Sequence, residues 1–258
     1  LLADRGDEVL LLWRADLPVI MRAYQTAPLL IAGGLPTGAE EGAFPVVVGA
    51  THVQNDSGST NVDVPVALPS GWLSTDKGLL IIAKGNGGTS AVPFPAGFTP
   101  LDDDVPRLSG AVGQNMRLAI GLSTAPLTAG FNVNLNAYGQ VKLIAIRGAT
   151  TAVWDSSGAV VSTGQDANSM PLHLPDVGGD ALAIAILAGS WSNAKATFAA
   201  CPDWTAVSAV PQFSNGTVAA RYGCQALWRN VTDDVPSGTI TTSGSANAYL
   251  VSTTVVVQ

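Results

Sequence analysis

Two histidines, two cysteines and two short acidic runs are the residues of this chain whose chemistry reaches beyond packing. His52 and His173 each sit in an apolar-flanked, strand-like stretch, without a second His, Cys or carboxylate at ligand spacing. A zinc site or a histidine-based triad would have to be assembled from distant segments. Both histidines are therefore expected to be structural or surface residues. The acidic runs Asp102-Asp103-Asp104 and Asp233-Asp234 fall in turn-like contexts. Clustered carboxylates on a loop suit calcium, but neither run has the alternating spacing of a calcium loop, and solvated turns are the expected reading. Gly85–Gly88 is followed by Thr-Ser and not by Gly-Lys-Ser, so it reads as a turn rather than a phosphate loop. Cys201 and Cys224 make no C-x-x-C pair and are expected to be buried thiols, with a bridge between them left open. No catalytic residue, metal or cofactor is expected from these residue types.

Short patterns elsewhere carry little. Arg5-Gly6-Asp7 is a tripeptide with nothing around it to suggest a receptor ligand. Asn55, Asn215 and Asn230 open glycosylation acceptor triplets, which mean little without a secretory leader, and the opening LLADRGDE has no leader character. Trp191 is more suggestive. It lies with Asn193 in GSWSNAK, and a tryptophan among Ser and Asn can stack on a sugar ring. A tryptophan packed against a neighbouring subunit reads the same way. Trp191 and Asn193 are the candidate ligand contacts.

The elements that must hold these residues are strands. Of 258 residues, 47% are hydrophobic and only 12% charged, and apolar runs are broken by Gly or Pro before reaching the length of a spanning helix. The formal charge is −7 with Lys and Arg scattered singly, which argues against nucleic acid as a partner. Membrane insertion is not expected. Stretches such as PVVVGA, NVDVPVAL, NMRLAIGLS, QVKLIAIRG and AYLVSTTVVV are rich in Val, Ile, Leu and Thr. In FNVNLN, Phe131, Val133 and Leu135 face one way and Asn132, Asn134 and Asn136 the other. Turn residues punctuate the chain about every ten residues. The pattern predicts an all-β protein, an antiparallel β-sandwich of jelly-roll type.

The sandwich is spelled twice. Phe98-Thr99 matches Trp204-Thr205, Arg117–Ala125 matches Gly223–Val231, and Pro69 matches Pro175. Gly85 is set against Gly189, and Gln140–Ile146 against Asn247–Thr253. Apolar positions recur, whereas Lys84, Asn86 and Asp102 become Ala188, Ser190 and Ser208 in this alignment. That is the behaviour of a duplicated scaffold and not of a duplicated site. The half-repeats run over about 43–150 and 165–258, within a domain of residues 43–258. Phe98 and Trp204 are expected to be buried at equivalent places. Asp203, standing where the first half has Gly97, leaves open whether the second turn has the same shape.

This arrangement resembles the two-half β-sandwich domain of tailed-phage tail, fibre and head-fibre proteins. The matching residues are Pro69-Ser70-Gly71, Leu79–Ala83, Pro95-Ala96-Gly97-Phe98-Thr99, Leu118–Leu122 and Ile144–Gly148. In the second half they are Pro175, Ala181–Leu187, Pro202-Asp203-Trp204-Thr205 and Cys224–Trp228. The resemblance implies a non-enzymatic virion protein, a fibre, spike or decoration subunit. Its implied partners are other virion proteins and itself, with a trimer as the family habit, and a host-surface glycan. A bacterial carbohydrate-binding or adhesin module is the alternative. A glycan-cleaving enzyme would need paired carboxylates facing one groove.

Residues 1–42 stand outside the repeat. Their apolar clusters include Leu11, Trp13, Ile20 and Met21, while Pro18, Pro28 and Pro36 oppose a long helix. An N-terminal arm that anchors the chain or joins its copies is the expectation, with extra strands of the sandwich as the other reading.

Overall fold

The computed structural model describes residues 2–5, 8–11, 44–55, 62–85, 93–102, 108–109, 115–135, 139–154, 160–161, 169–172, 175–191, 197–198, 201–207, 222–235, 238–243 and 248–258. The chain divides into two compact units, Leu1–Glu40 and Glu41–Gln258. In the first, β1 (Leu2–Arg5) and β2 (Glu8–Leu11) form an antiparallel hairpin with Leu2 opposite Leu11 and Arg5 opposite Glu8. Among its described residues the second unit is all-β, with every strand pairing antiparallel.

Its first half comprises β3 (Val46–Asn55), β4 (Val62–Val66), β5 (Lys77–Gly85), β6 (Phe98–Asp102), β7 (Leu108–Ser109), β8 (Asn115–Ser123), β9 (Phe131–Leu135) and β10 (Gly139–Arg147). The main sheet has the order β3-β10-β5-β8-β6, with β7 also on β8, and β4 and β9 pair as a separate ribbon. The second half comprises β11 (Ala152–Trp154), β12 (Val160–Val161), β13 (Ser169–Pro171), β14 (Asp176–Trp191), β15 (Thr197–Phe198), β16 (Thr205–Ala206), β17 (Tyr222–Asp234), β18 (Thr239–Ser243) and β19 (Ala248–Val257). Its main sheet runs β11-β19-β14-β17-β16, with β12 also on β19, and β13-β18-β15 forms the ribbon. Matching β3 with β11 and β12, β4 with β13, β5 with β14, β6 with β16, β8 with β17, β9 with β18 and β10 with β19 makes the two topologies the same but for two short strands, β7 on β8 in the first half and β15 on β18 in the second. The duplication seen in sequence is a duplication of topology.

The two main sheets share one core. Leu79, Ile81, Leu118, Ile120, Ile144 and Ile146 of the first meet Leu182, Ile184, Ile186, Ala226, Val251 and Val255 of the second. The opposite face of the first sheet, with Leu80, Ile82, Ala119, Val141 and Leu143, is covered by Val64, Val66, Val133 and Leu135 of its ribbon. The opposite face of the second, with Ala181, Ala183, Ala185, Leu187 and Leu227, carries Leu172, Cys201 and Trp204. The layers are thus ribbon, sheet, sheet, ribbon. This explains why GLLIIA and ALAIAILA do not alternate. Strands buried on both faces need apolar residues at every position, whereas β9, with one wet face, alternates strictly. Each fully buried Leu or Ile here contributes about 1.5–3 kcal/mol.

Across the shared core β5 lies against β17 while β14 lies against β8. This reciprocal contact of equivalent strands is the arrangement of an isologous dimer, here within one chain.

Candidate functional site

The turn before β6 shows how local sequence places the core aromatics. The Phe98 amide donates to the Pro95 carbonyl at 3.3 Å, and Gly97 has a φ of 88°. In the second half the Trp204 amide donates to the Cys201 carbonyl at 3.2 Å, and Asp203 takes a φ of 66°. A left-handed third residue is what such a turn requires, and Asp is among the few side chains that tolerate it. The turn is therefore conserved in shape despite the change from Gly to Asp. Phe98 and Trp204 are 9% and 8% exposed, so both are buried as expected. Phe98 meets Phe131 edge to face, with ring centroids 5.1 Å apart.

A second device recurs in role but not in residue type. Arg147, at the end of β10, donates through Nη2 to the Gly71 carbonyl at 3.0 Å. Its Nε and Nη2 also grip the buried carboxylate of Asp76 at 2.9 and 3.0 Å. The Leu73 amide donates to the same carboxylate at 2.8 Å. After β19, Gln258 donates through Nε2 to the Gly178 carbonyl at 2.6 Å. Each half closes by having the residue at the end of its last strand hold a glycine carbonyl, that of Gly71 in a turn before β5 and that of Gly178 at the irregular start of β14. Bonding to Asp76 raises the Arg147 pKa further above its ordinary value, so the clamp is permanently charged.

The buried polar groups of the shared core form the densest chemistry among the described residues. Lys142 of β10 is fully buried on the inner face, and its Nζ donates to the backbone carbonyl of Cys224 on β17, in the other sheet. Burial brings the Lys142 pKa down to about 8, against an opposing pull from Cys224. Beside it in the ladder stands His52 of β3. Burial first, then the charge of Lys142, lowers the His52 pKa to about 4, although a side-chain hydrogen bond with Gln140 opposes the shift. Burial also pushes the Cys224 thiol up, with Lys142 drawing it back. Around neutral pH the imidazole and the thiol are thus uncharged neighbours of a fully buried lysine. What Lys142 can do is tie one sheet to the other.

Nothing in the sequence reading singled out Lys142, yet a signal was there. In QVKLIAIRG, Lys142 falls in phase with Ile144 and Ile146, which face the core. In the ladder Lys142 stands opposite Ile81, and Thr253 stands opposite Ile186 at the matching place of the second half. The lysine does not recur.

Most of the residues expected to carry binding lie outside the described residues. Trp191 ends β14, its backbone paired with Ala248, and its side chain lies outside the described residues, as does Asn193. Trp13, Ile20 and Met21 also lie outside them, and Leu11 is described through its backbone pairing with Leu2. His173, Asp103, Asp104 and Asn215 fall outside as well. Asp233 and Asp234 end β17 and Asp102 ends β6, so these acidic residues stand in strands and not in the turns expected; Asp233 takes a φ of 64° and its Oδ1 accepts from the Gly179 amide at 3.1 Å, across from the register shift at the start of β14. Cys201 and Cys224 are free and belong to cores on opposite faces of one sheet, which leaves them no route to a bridge. Asn55 is buried at the end of β3, whereas Asn230 is exposed on β17. Among the described residues no three His, Cys, Asp or Glu side chains gather as a metal site. An open groove of about 640 Å³ runs beside the first ribbon, lined by Pro65–Leu68 and Gly130–Asn132.

Comparison of the chain with protein families, with curated proteins and with solved structures finds no match.

Proposed function

We propose that this chain is a non-enzymatic structural subunit of a tailed-phage or phage-like particle, a fibre, spike or decoration protein. In this reading residues 1–42 anchor it to the particle or join its copies, and the sandwich is displayed outward towards a host-surface glycan. The observation that carries the reading is the way the duplication was kept. Strand order, turn shape, buried aromatic and closing clamp recur in both halves, while Lys84, Lys142 and Asp76 find no counterpart of like charge at matching places. A binding or catalytic site kept in duplicate would retain its polar side chains, and a scaffold retains its packing. The sequence likeness to phage fibre domains supports the same class.

The test is the location of the protein in particles. Purified particles from a producing strain are analysed by mass spectrometry and labelled with a gold-conjugated antibody against residues 43–258. The reading expects a fixed copy number and label at one place on every particle. Deleting residues 1–42 is expected to abolish incorporation. Protein absent from particles but recovered from the cell envelope or the medium would overturn the reading in favour of an adhesin.

A further inference from the structure

Each main sheet has its outer face covered from within its own half and its inner face covered by the other half. The two halves meet reciprocally, β5 against β17 and β14 against β8, as two copies of one subunit meet about a twofold axis. Each half carries its own sheet and ribbon. The inner face of one half is therefore matched to the inner face of the other, whichever chain supplies it. Lys142 marks the match, since its Nζ on β10 reaches the Cys224 carbonyl on β17.

What joins the halves along the chain is short. β10 ends at Arg147 and β11 begins at Ala152, so Gly148 to Thr151 form the joint. The bonds at its two ends stay within their own halves. Arg147 holds Asp76 and the Gly71 carbonyl, both in the first half. The Thr150 and Thr151 amides donate to the Gln258 carbonyl, and the Gln258 amide donates back to the Thr151 carbonyl, all in the second half. Between them stand Gly148, with a φ of 79°, and Ala149, which packs on the shared core. Rotation at these two residues opens the joint and leaves both sets of bonds intact.

We infer that the inner faces are an interface between copies of this chain as well as within one: the first half of each chain pairs with the second half of another across the same core, and Gly148 and Ala149 are the hinge of the exchange. The occupant is a second copy, because the interface already present within the chain continues unchanged between chains. Both forms bury the same side chains and make the same Lys142 contact, so the hinge and the concentration set the balance between them. A short joint supplies the partner half at an effective concentration on the order of a millimolar, and chains crowded towards that value favour the exchanged dimer. The left-handed backbone at Gly148 also enters the balance. Other residues are strained there, and an extended hinge removes the strain. A Cβ at position 148 would meet the Pro45 Cα at 3.8 Å, an ordinary contact, so the strain lies in the backbone and not in crowding. The exchange does not depend on the particle reading and is testable on the protein alone.

The experiment refolds the full chain from urea over a concentration series, dilutes each sample and reads the mass by sedimentation velocity, for wild type and Gly148→Val. Wild type refolded dilute is expected to be monomeric, with a dimer that survives dilution growing in share as the refolding concentration rises. Gly148→Val is expected to reach the same share at about tenfold lower concentration. Two isotope-labelled wild-type dimer populations are expected to trade partners only after unfolding, because the shared core must open for the exchange. The wild-type series requires no variant to fold. No dimer surviving dilution after refolding at up to about a millimolar, a surviving dimer that trades partners while folded, or a folded Gly148→Val chain with the wild-type dimer share would overturn the inference.

Discussion

Lys142 is the residue whose behaviour departs furthest from its sequence context. A lysine in a strand of scattered charge reads as solvent-facing, and its phase with Ile144 and Ile146 shows otherwise only once the inner face is known. Its folded pKa of about 8 lies below the ordinary 10.5, so folding favours the neutral amine. The sign follows from linkage. The stability contributed by the neutral form is fully present above pH 10.5, declines as pH falls towards 8, and is gone below. The stability of wild type relative to Lys142→Met in urea unfolding is expected to rise between pH 8 and 10.5, a comparison in which the opposing loss from the raised Cys224 and Cys201 thiols is common to both chains. A difference that stays flat across this window would place the amine in water. His52 works on the acid side. With a folded pKa of about 4 against 6.5, its contribution is present above pH 6.5 and is lost as pH falls through 4. His52→Gln is expected to flatten stability between those values. Trp204, by contrast, was legible from the repeat alone, since an aromatic recurring at one place in two halves marks a core. Trp204→Ala is expected to cost about 3–5 kcal/mol in the same assay.

At the scale of elements, strand type and order were readable, and register was not. Leu122 stands opposite Thr99, and Trp228 opposite Thr205, so the sequence match of β8 with β17 holds. Carried across the ladders, however, Ala83 corresponds to Ala188 and Ile144 to Val255. The matches of Gly85 with Gly189 and Ile144 with Val251 are displaced by one residue and by four. A slip of one turns every side chain to the other face. Sequence could not detect it because strands buried on both faces are apolar at every position, leaving no alternation to fix the phase. Turn chemistry was more legible than the doubt over Asp203 allowed, since the backbone there copies Gly97. Asp203→Gly is therefore expected to be nearly neutral in thermal melting, whereas Asp203→Val, β-branched at a positive φ, is expected to destabilise. The candidate binding side chains Trp191 and Asn193 gain no support from the fold beyond the position of Trp191 at the end of β14.

For the whole molecule, duplication has a thermodynamic consequence. Each half has its own sheet and ribbon, yet the inner face of each sheet is covered by the other half. A half standing alone would expose Leu79, Ile81, Ile120 and Ile144, or Leu182, Ile184 and Ile186, to water. The halves should therefore unfold together despite being topologically complete. Native-state hydrogen exchange on β5 and β14 is the most direct test of this claim. The central amides, Leu80 to Ile82 and Ala185 to Leu187, are expected to exchange through one global opening, with equal opening free energies and equal sensitivity to denaturant. Two distinct free energies, one for each half, would contradict the account, because they would mean that the shared core does not bind the two halves into one scaffold.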